Sequence, residues 1–142
     1  MMKSLILSAA TLLVASGGLG AEEVKETKFD KVMAKYERSG ETKRCVNPSR
    51  LGESQILDDT HILFRLSPKK AYLNTLPRKC QSLKFYQAIT YTVRGGQLCA
   101  SDMFQVLDQN LRPGMSCSLG KFEKIKKISA DKSDDADDAV GR

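Results

Sequence analysis

The chain has 142 residues, 23 Lys+Arg against 17 Asp+Glu, 41% apolar residues, four Cys, one His and no Trp. That length allows one domain and excludes a multidomain enzyme with its own cofactor domain, while the apolar fraction excludes a chain disordered throughout. The formal net charge of +6 is spread unevenly along the chain: residues 45–128 carry thirteen Lys/Arg and six Asp/Glu, a net of +7.

The chain opens with Met1-Met2-Lys3, an apolar run from Leu5 to Ala15, and the small residues Ser16-Gly17-Gly18-Leu19-Gly20-Ala21. A positive start, a short apolar run and a small-residue stretch are the order of a secretory signal peptide, so residues 1–21 are expected to be cleaved after Ala21 or Gly20. The apolar run is near half of the roughly 20 residues that a spanning helix needs. No Cys follows it, which argues against a lipid-anchored form. The expected mature protein is periplasmic or secreted, with no transmembrane segment.

Residues 22–44 read as an amphipathic helix and linker. Phe29, Val32, Met33 and Tyr36 lie on one face of a 3.6-residue period, so the helix is expected at 28–38 with this stripe docked on the rest of the domain. Thr27-x-x-Asp30 has the form of a capping box, and Gly40 is a candidate stop.

From Ser54 the period becomes alternating. Ile62, Phe64 and Leu66 share one side of a predicted strand; Phe85, Ile89, Tyr91 and Val93 share a side over Lys84 to Arg94; Met103 to Leu107 is a buried-strand candidate. Turns are predicted at Asp58-Asp59-Thr60, at Ser67-Pro68-Lys69, at Gly95-Gly96 and at Arg112-Pro113-Gly114. Several short strands punctuated by turns point to a mainly β fold over residues 45–128, a small antiparallel barrel or sandwich with an N-terminal amphipathic helix; an α+β arrangement stays open. Residues 129–142 form an acidic, low-complexity stretch expected to be a disordered tail. An EF-hand register from Asp131 fails at Ala136 and Arg142, so no metal site is predicted there.

Cys45, Cys80, Cys99 and Cys117 contain no Cys-x-x-Cys pair. In an oxidising compartment four such cysteines form two disulfides, in any of three pairings, and staple a core too small to be stable by burial alone.

The run of Cys45-Val46, Ile56-Leu57-Asp58-Asp59-x-x-Ile62-Leu63-Phe64, Tyr72-x-Asn74-x-Leu76-Pro77-Arg78-x-Cys80-x-x-Leu83, Leu98-Cys99-x-x-Asp102 and Cys117-x-Leu119-Gly120-x-Phe122 resembles a family of small secreted proteobacterial proteins of unknown function with four cysteines. The resemblance covers Cys45 to Glu123. It implies export to the periplasm and implies no activity, substrate or site residue.

His61 is the single histidine, and with Asp58 or Asp59 and a serine it is the only candidate for a small hydrolase. Those two Asp residues sit in a predicted tight turn, where Asp is favoured for its bonds to backbone N–H groups. Asp102 and Asp108 are a candidate carboxylate pair, but Asp102 follows Cys99 by three and reads as a turn cap. No P-loop, Gly-x-Ser-x-Gly or His-Glu-x-x-His motif occurs, and no cofactor is predicted. Lys121, Lys124, Lys126 and Lys127, interleaved with Phe122 and Ile125, are candidate anion-binding residues, or else outward lysines on a last strand at the edge of a sheet. The expected function is that of an exported, non-catalytic binding or accessory protein of the bacterial envelope. Its partner would be an envelope protein or anionic envelope polymer, not nucleic acid.

Overall fold

The computed structural model describes residues 25–129; the expected signal peptide and all but the first residue of the expected tail lie outside them. Its elements are α1 (Lys28–Met33), β1 (Tyr36–Lys43), β2 (Cys45–Val46), β3 (Ser54–Ile56), β4 (His61–Ser67), β5 (Lys70–Thr75), α2 (Leu83–Tyr86), β6 (Ile89–Tyr91), β7 (Leu98–Cys99), β8 (Met103–Leu107), β9 (Pro113–Ser118) and β10 (Phe122–Lys127). A 3₁₀ turn at Pro48–Arg50 follows β2. The fold is mainly β. A five-stranded antiparallel sheet in the order β1-β10-β5-β4-β3 is joined by a three-stranded sheet, β6-β8-β9, and the pair β2-β7. The arrangement is sandwich-like. Of the two β architectures expected, the closed barrel is excluded, because β1 and β3 are edges and do not pair with each other.

Two hydrophobic clusters lie on opposite faces of the large sheet. In register, Ile62 and Phe64 of β4, Tyr72 of β5 and Phe122 of β10 face the first cluster, together with Leu98, Phe104 and Val106 of the small sheets. Leu63, Leu73, Ala71 and Ile125 face the second, where Phe29, Val32, Met33 and Tyr36 cover them. The helical stripe therefore docks as its period predicted. Each large apolar side chain taken fully out of water contributes about 1.5–3 kcal/mol. Phe122 sits between Phe64 and Tyr72 at ring-centroid distances of 5.8 and 6.2 Å, and Tyr91 of β6 meets Phe64 edge-on at 6.4 Å. That aromatic set ties the two sheets together.

Local chemistry sets the ends of the elements. Thr27 and Asp30 form the predicted capping box: Asp30 N–H donates to Thr27 Oγ1, and Thr27 N–H donates to Asp30 Oδ2 at 2.9 Å. The helix nevertheless ends at Met33, short of the residue 38 expected. Tyr36–Lys43 instead extends as an edge strand on β10, and Gly40, in place of stopping a helix, takes φ +73° at a shift in register between Arg38 and Thr42. Ladder bonds to a strand some 85 residues away override a helical pattern that local spacing alone supported.

The turns at Asp58-Asp59-Thr60 and Ser67-Pro68-Lys69 join β3 to β4 and β4 to β5 as predicted. Gly95 and Gly96 adopt φ of +64° and +72°, the conformation of a tight hairpin turn. That hairpin extends no further than the Arg94–Gln97 bridge, because β7 leaves to pair with β2 while β6 pairs with β8. Residues 84–86, expected in a strand, are in the one-turn helix α2, where Leu83 is buried and Phe85 is 71% exposed. Pro113 begins β9 and does not break the chain; the turn precedes it, with Asp108 Oδ1 accepting from the N–H groups of Asn110 and Arg112. Strand β8 forms where expected, with Phe104 and Val106 inward and Met103 and Gln105 outward.

Of the three open pairings the fold selects Cys45–Cys99 and Cys80–Cys117, first with third and second with fourth. Cys45 and Cys99 are register partners across β2 and β7. Closing loops of 54 and 37 residues stabilises the fold by roughly 4 kcal/mol each in the chain-entropy model, taken singly.

Candidate functional site

Strand β10 carries three of the four candidate lysines, and it is not an edge strand: β1 and β5 flank it. Lys124 and Lys126 lie in register with Tyr72 and Lys70 on one face, whereas Lys127, in register with Tyr36, is on the other. Lys121 precedes the strand, about 16 Å from Lys126 at the rise of an extended chain. The four therefore do not form one patch.

The topology gathers a different set. Lys127 N–H donates to Lys69 O at 2.8 Å, and Ile128 N–H donates to Lys35 O at 2.9 Å. Lys126 lies directly opposite Lys70. The backbones of Lys35, Lys69, Lys70, Lys126 and Lys127 thus come together at one end of the large sheet, with Lys126 and Lys127 on its opposite faces, and among the described residues none of the five has an ion-pair partner within 4.0 Å. Lys124 is paired at 3.6 Å with Glu41. Glu37, in register with Lys126, is the acidic residue that the β1 ladder brings to this end. Like charges directly opposite in a ladder repel, so an anion bound here would relieve a cost the fold carries. Sequence spacing did not reveal Lys35, Lys69 and Lys70, because they come from two segments that only the sheet order brings to Lys126 and Lys127.

The nearby carboxylate is already occupied. Arg38 makes a two-pronged contact with Glu123, through Nε at 2.9 Å and through its NH2 group. That hydrogen bonding holds the Glu123 carboxyl below its usual value and raises the guanidinium. Glu123 is engaged by Arg38, which leaves Glu37, in register with Lys126, as the carboxylate that the β1 ladder sets beside the lysines at the sheet end.

His61 begins β4 with its Nδ1 2.9 Å from Asp58 Oδ2 and 3.1 Å from Thr60 Oγ1, and its ring lies 4.2 Å from that of Phe29. Asp58 Oδ1 also accepts from the backbone N–H groups of Thr60 and His61, at 2.6 and 2.8 Å, and from Thr60 Oγ1. Burial pushes the Asp58 carboxyl up, but the bonds from His61 and Thr60 outweigh it and hold the group below its usual value. This is the turn-capping role that Asp was expected to fill. A nucleophile–base–acid relay needs the hydroxyl on one imidazole nitrogen and the carboxylate on the other. Here both meet Nδ1, and Thr60 Oγ1 lies 2.8 Å from Asp58 Oδ1 as well. Asp59 takes no part in the cluster: its Oδ1 accepts from Lys84 N–H at 2.8 Å, and Lys79 lies 3.8 Å from Oδ2. Asp102 accepts from Cys99 N–H at 2.7 Å, the turn cap its position predicted.

All four cysteines are in disulfides. Among the described residues no three His, Cys, Asp or Glu side chains converge as metal ligands, and no helix is long and apolar enough to cross a membrane. No curated protein and no solved structure matches the chain. A family model does, over residues 1–142, beyond the Cys45–Glu123 stretch that carries the resemblance. The chain belongs to that family, a family of unknown function designated DUF6491.

Proposed function

We propose that the protein is an exported, non-catalytic binding or accessory protein of the bacterial envelope that associates with an anionic envelope component through the basic end of its large sheet. The observation that carries this reading is the meeting of Lys35, Lys69, Lys70, Lys126 and Lys127 with no ion-pair partner among the described residues. Clustered cations of one sign raise the local concentration of an anionic partner and speed its encounter. The signal-peptide pattern at residues 1–21 and the two disulfides support an oxidising, extracytoplasmic compartment. The test is retention of the oxidised chain on envelope fractions and on phosphatidylglycerol vesicles. Retention is expected to fall as salt rises from about 0.05 to 0.5 M and the screening length shrinks to a few ångströms, and to be lost in the Lys70→Glu/Lys126→Glu variant. Retention that ignores both salt and the substitutions overturns the reading.

A second reading, a small hydrolase built on His61, has the 2.9 Å contact with Asp58 in its favour. It predicts hydrolysis of an ester substrate that His61→Ala abolishes; equal turnover by the two proteins removes it.

A further inference from the structure

The outer face of the small sheet presents a second surface, chemically unlike the basic end. Thr90, Gln105 and Ser116 are register partners across β6, β8 and β9. The adjacent register row, Tyr91, Phe104 and Cys117, packs on the first hydrophobic cluster. Side chains alternate faces along a strand, so the Thr90–Gln105–Ser116 row points away from the core. It lines a hollow of about 410 Å³, within the 300–1,000 Å³ typical of small-molecule sites. Met103, 54% exposed, and Arg94, carried on the Gly95-Gly96 turn, also line it.

Among the described residues, Asp102 alone of the polar side chains lining this hollow hydrogen-bonds within the chain. Among the described residues the hydroxyls of Thr90 and Ser116, the amide of Gln105 and the guanidinium of Arg94 have no hydrogen-bond partner in the chain. Asp102, the carboxylate in the lining, has Oδ2 engaged by Cys99 N–H at 2.7 Å, and Oδ1 is left as an acceptor.

This inventory discriminates between ligand classes. A simple anion is matched by converging cations, and here one guanidinium is accompanied by a carboxylate. An apolar ligand would leave the hydroxyls of Thr90, Thr92, Ser101 and Ser116, the Gln105 amide, the Arg94 guanidinium and Asp102 Oδ1 unpaired on binding, at a cost for each. A sugar uses all of them. Its hydroxyls both donate and accept, as do those of Thr90 and Ser116 and the amide of Gln105. Its C–H face can pack on the Met103 thioether. The three-strand row is about 10 Å long at the spacing of neighbouring strands, which suits a short linear chain of sugars laid across the strands. We propose that this hollow is a saccharide-binding site that takes a linear di- or trisaccharide, on a different sheet from the basic end and independent of it.

The test is an amide chemical-shift titration of the oxidised full-length chain with the trisaccharides of glucose, N-acetylglucosamine and galacturonic acid, and with inorganic phosphate. At least one trisaccharide is expected to give saturable millimolar binding that moves the amides of Thr90, Gln105 and Ser116. Gln105→Ala, and separately Ser116→Ala, is expected to weaken it about tenfold, a loss of roughly 1.4 kcal/mol, with the melting temperature little changed because both residues are exposed. The Lys70→Glu/Lys126→Glu variant is expected to bind the sugar as tightly as the parent, which separates this site from the anionic-surface reading. The proposal is overturned if no trisaccharide moves these amides, if the variants bind undiminished, or if phosphate alone moves the same amides with the same affinity.

Discussion

The large sheet and the small sheets solve the same problem by different means. In β4 the consecutive residues Ile62, Leu63 and Phe64 are all buried, and in β5 so are Ala71 through Asn74, because cluster one covers one face and α1 the other. In β8 burial alternates, with Phe104 and Val106 in and Met103 and Gln105 out. The large sheet holds none of the four cysteines; they lie in β2, β7 and β9 and just ahead of α2. Where apolar burial is two-sided the sheet needs no crosslink, and where it is one-sided the chain is stapled. The polar face left by one-sided burial is also the face that can meet a ligand.

The contrast can be broken most forcefully from the large sheet. Phe64→Ala, removing a side chain fully buried between the sheets, is expected to destabilise by about 3–5 kcal/mol, measured by denaturant unfolding of the oxidised protein. Next, replacing Cys80 and Cys117 together by Ala is expected to cost about 2–5 kcal/mol. Hydrogen exchange should show protection lost first in β6, β8 and β9 while β4 and β5 keep theirs. Equal loss in both sheets would make the molecule one cooperative unit and end the distinction.

A smaller effect tests the seam between the regions. Asn74 is fully buried, its Nδ2 donates to Gly120 O and its Oδ1 accepts from Gly120 N–H, both at 2.8 Å. Asn74→Leu strands both backbone groups and is expected to cost about 1–3 kcal/mol. Gly120 itself has no substitute, since a Cβ there would lie 1.8 Å from Thr75 O.

The smallest expected effect is that of pH. The Asp58 carboxyl titrates lower in the folded chain than in the unfolded one. Its ionised form therefore stabilises the fold above about pH 4, and that stability is lost as pH falls through the folded value. Asp30, Asp108 and Glu123 are shifted the same way. Melting temperatures measured across this range should decline on the acid side, and Asp58→Asn should flatten part of the decline.

What sequence reasoning could see follows the same division. The capping box at Thr27 and Asp30, the Asp58 and Ser67 turns, the Asp102 cap and the cysteines as staples rest on interactions within a few residues, or on residue types with one common use. The start of β1, Tyr36–Arg38, falls within the expected helix because Tyr36 continues the period of Phe29, Val32 and Met33; Tyr36–Lys43 is largely exposed, and its status as a strand comes from β10 alone. Phe85 falls on the same side as Ile89, Tyr91 and Val93 of an alternating run, which suggests a strand, yet it lies in α2 and is exposed while Leu83 is the residue buried. The basic end and the polar hollow were hidden for one reason: each is assembled by sheet order from segments tens of residues apart.

The crossed pairing of the cysteines has a consequence for how the molecule is made. A chain synthesised from its N-terminus presents Cys80 as the first thiol that Cys45 can meet, well before Cys99 exists. An oxidant that joins thiols in order of appearance would trap Cys45 with Cys80 and leave Cys99 to Cys117. The native bonds require either that the β2–β7 ladder form before oxidation or that early bonds be exchanged by thiolate attack. The two routes differ in outcome: where the ladder forms first the yield of native protein is indifferent to a disulfide-shuffling activity, and where early bonds must be exchanged it rises when such an activity is added.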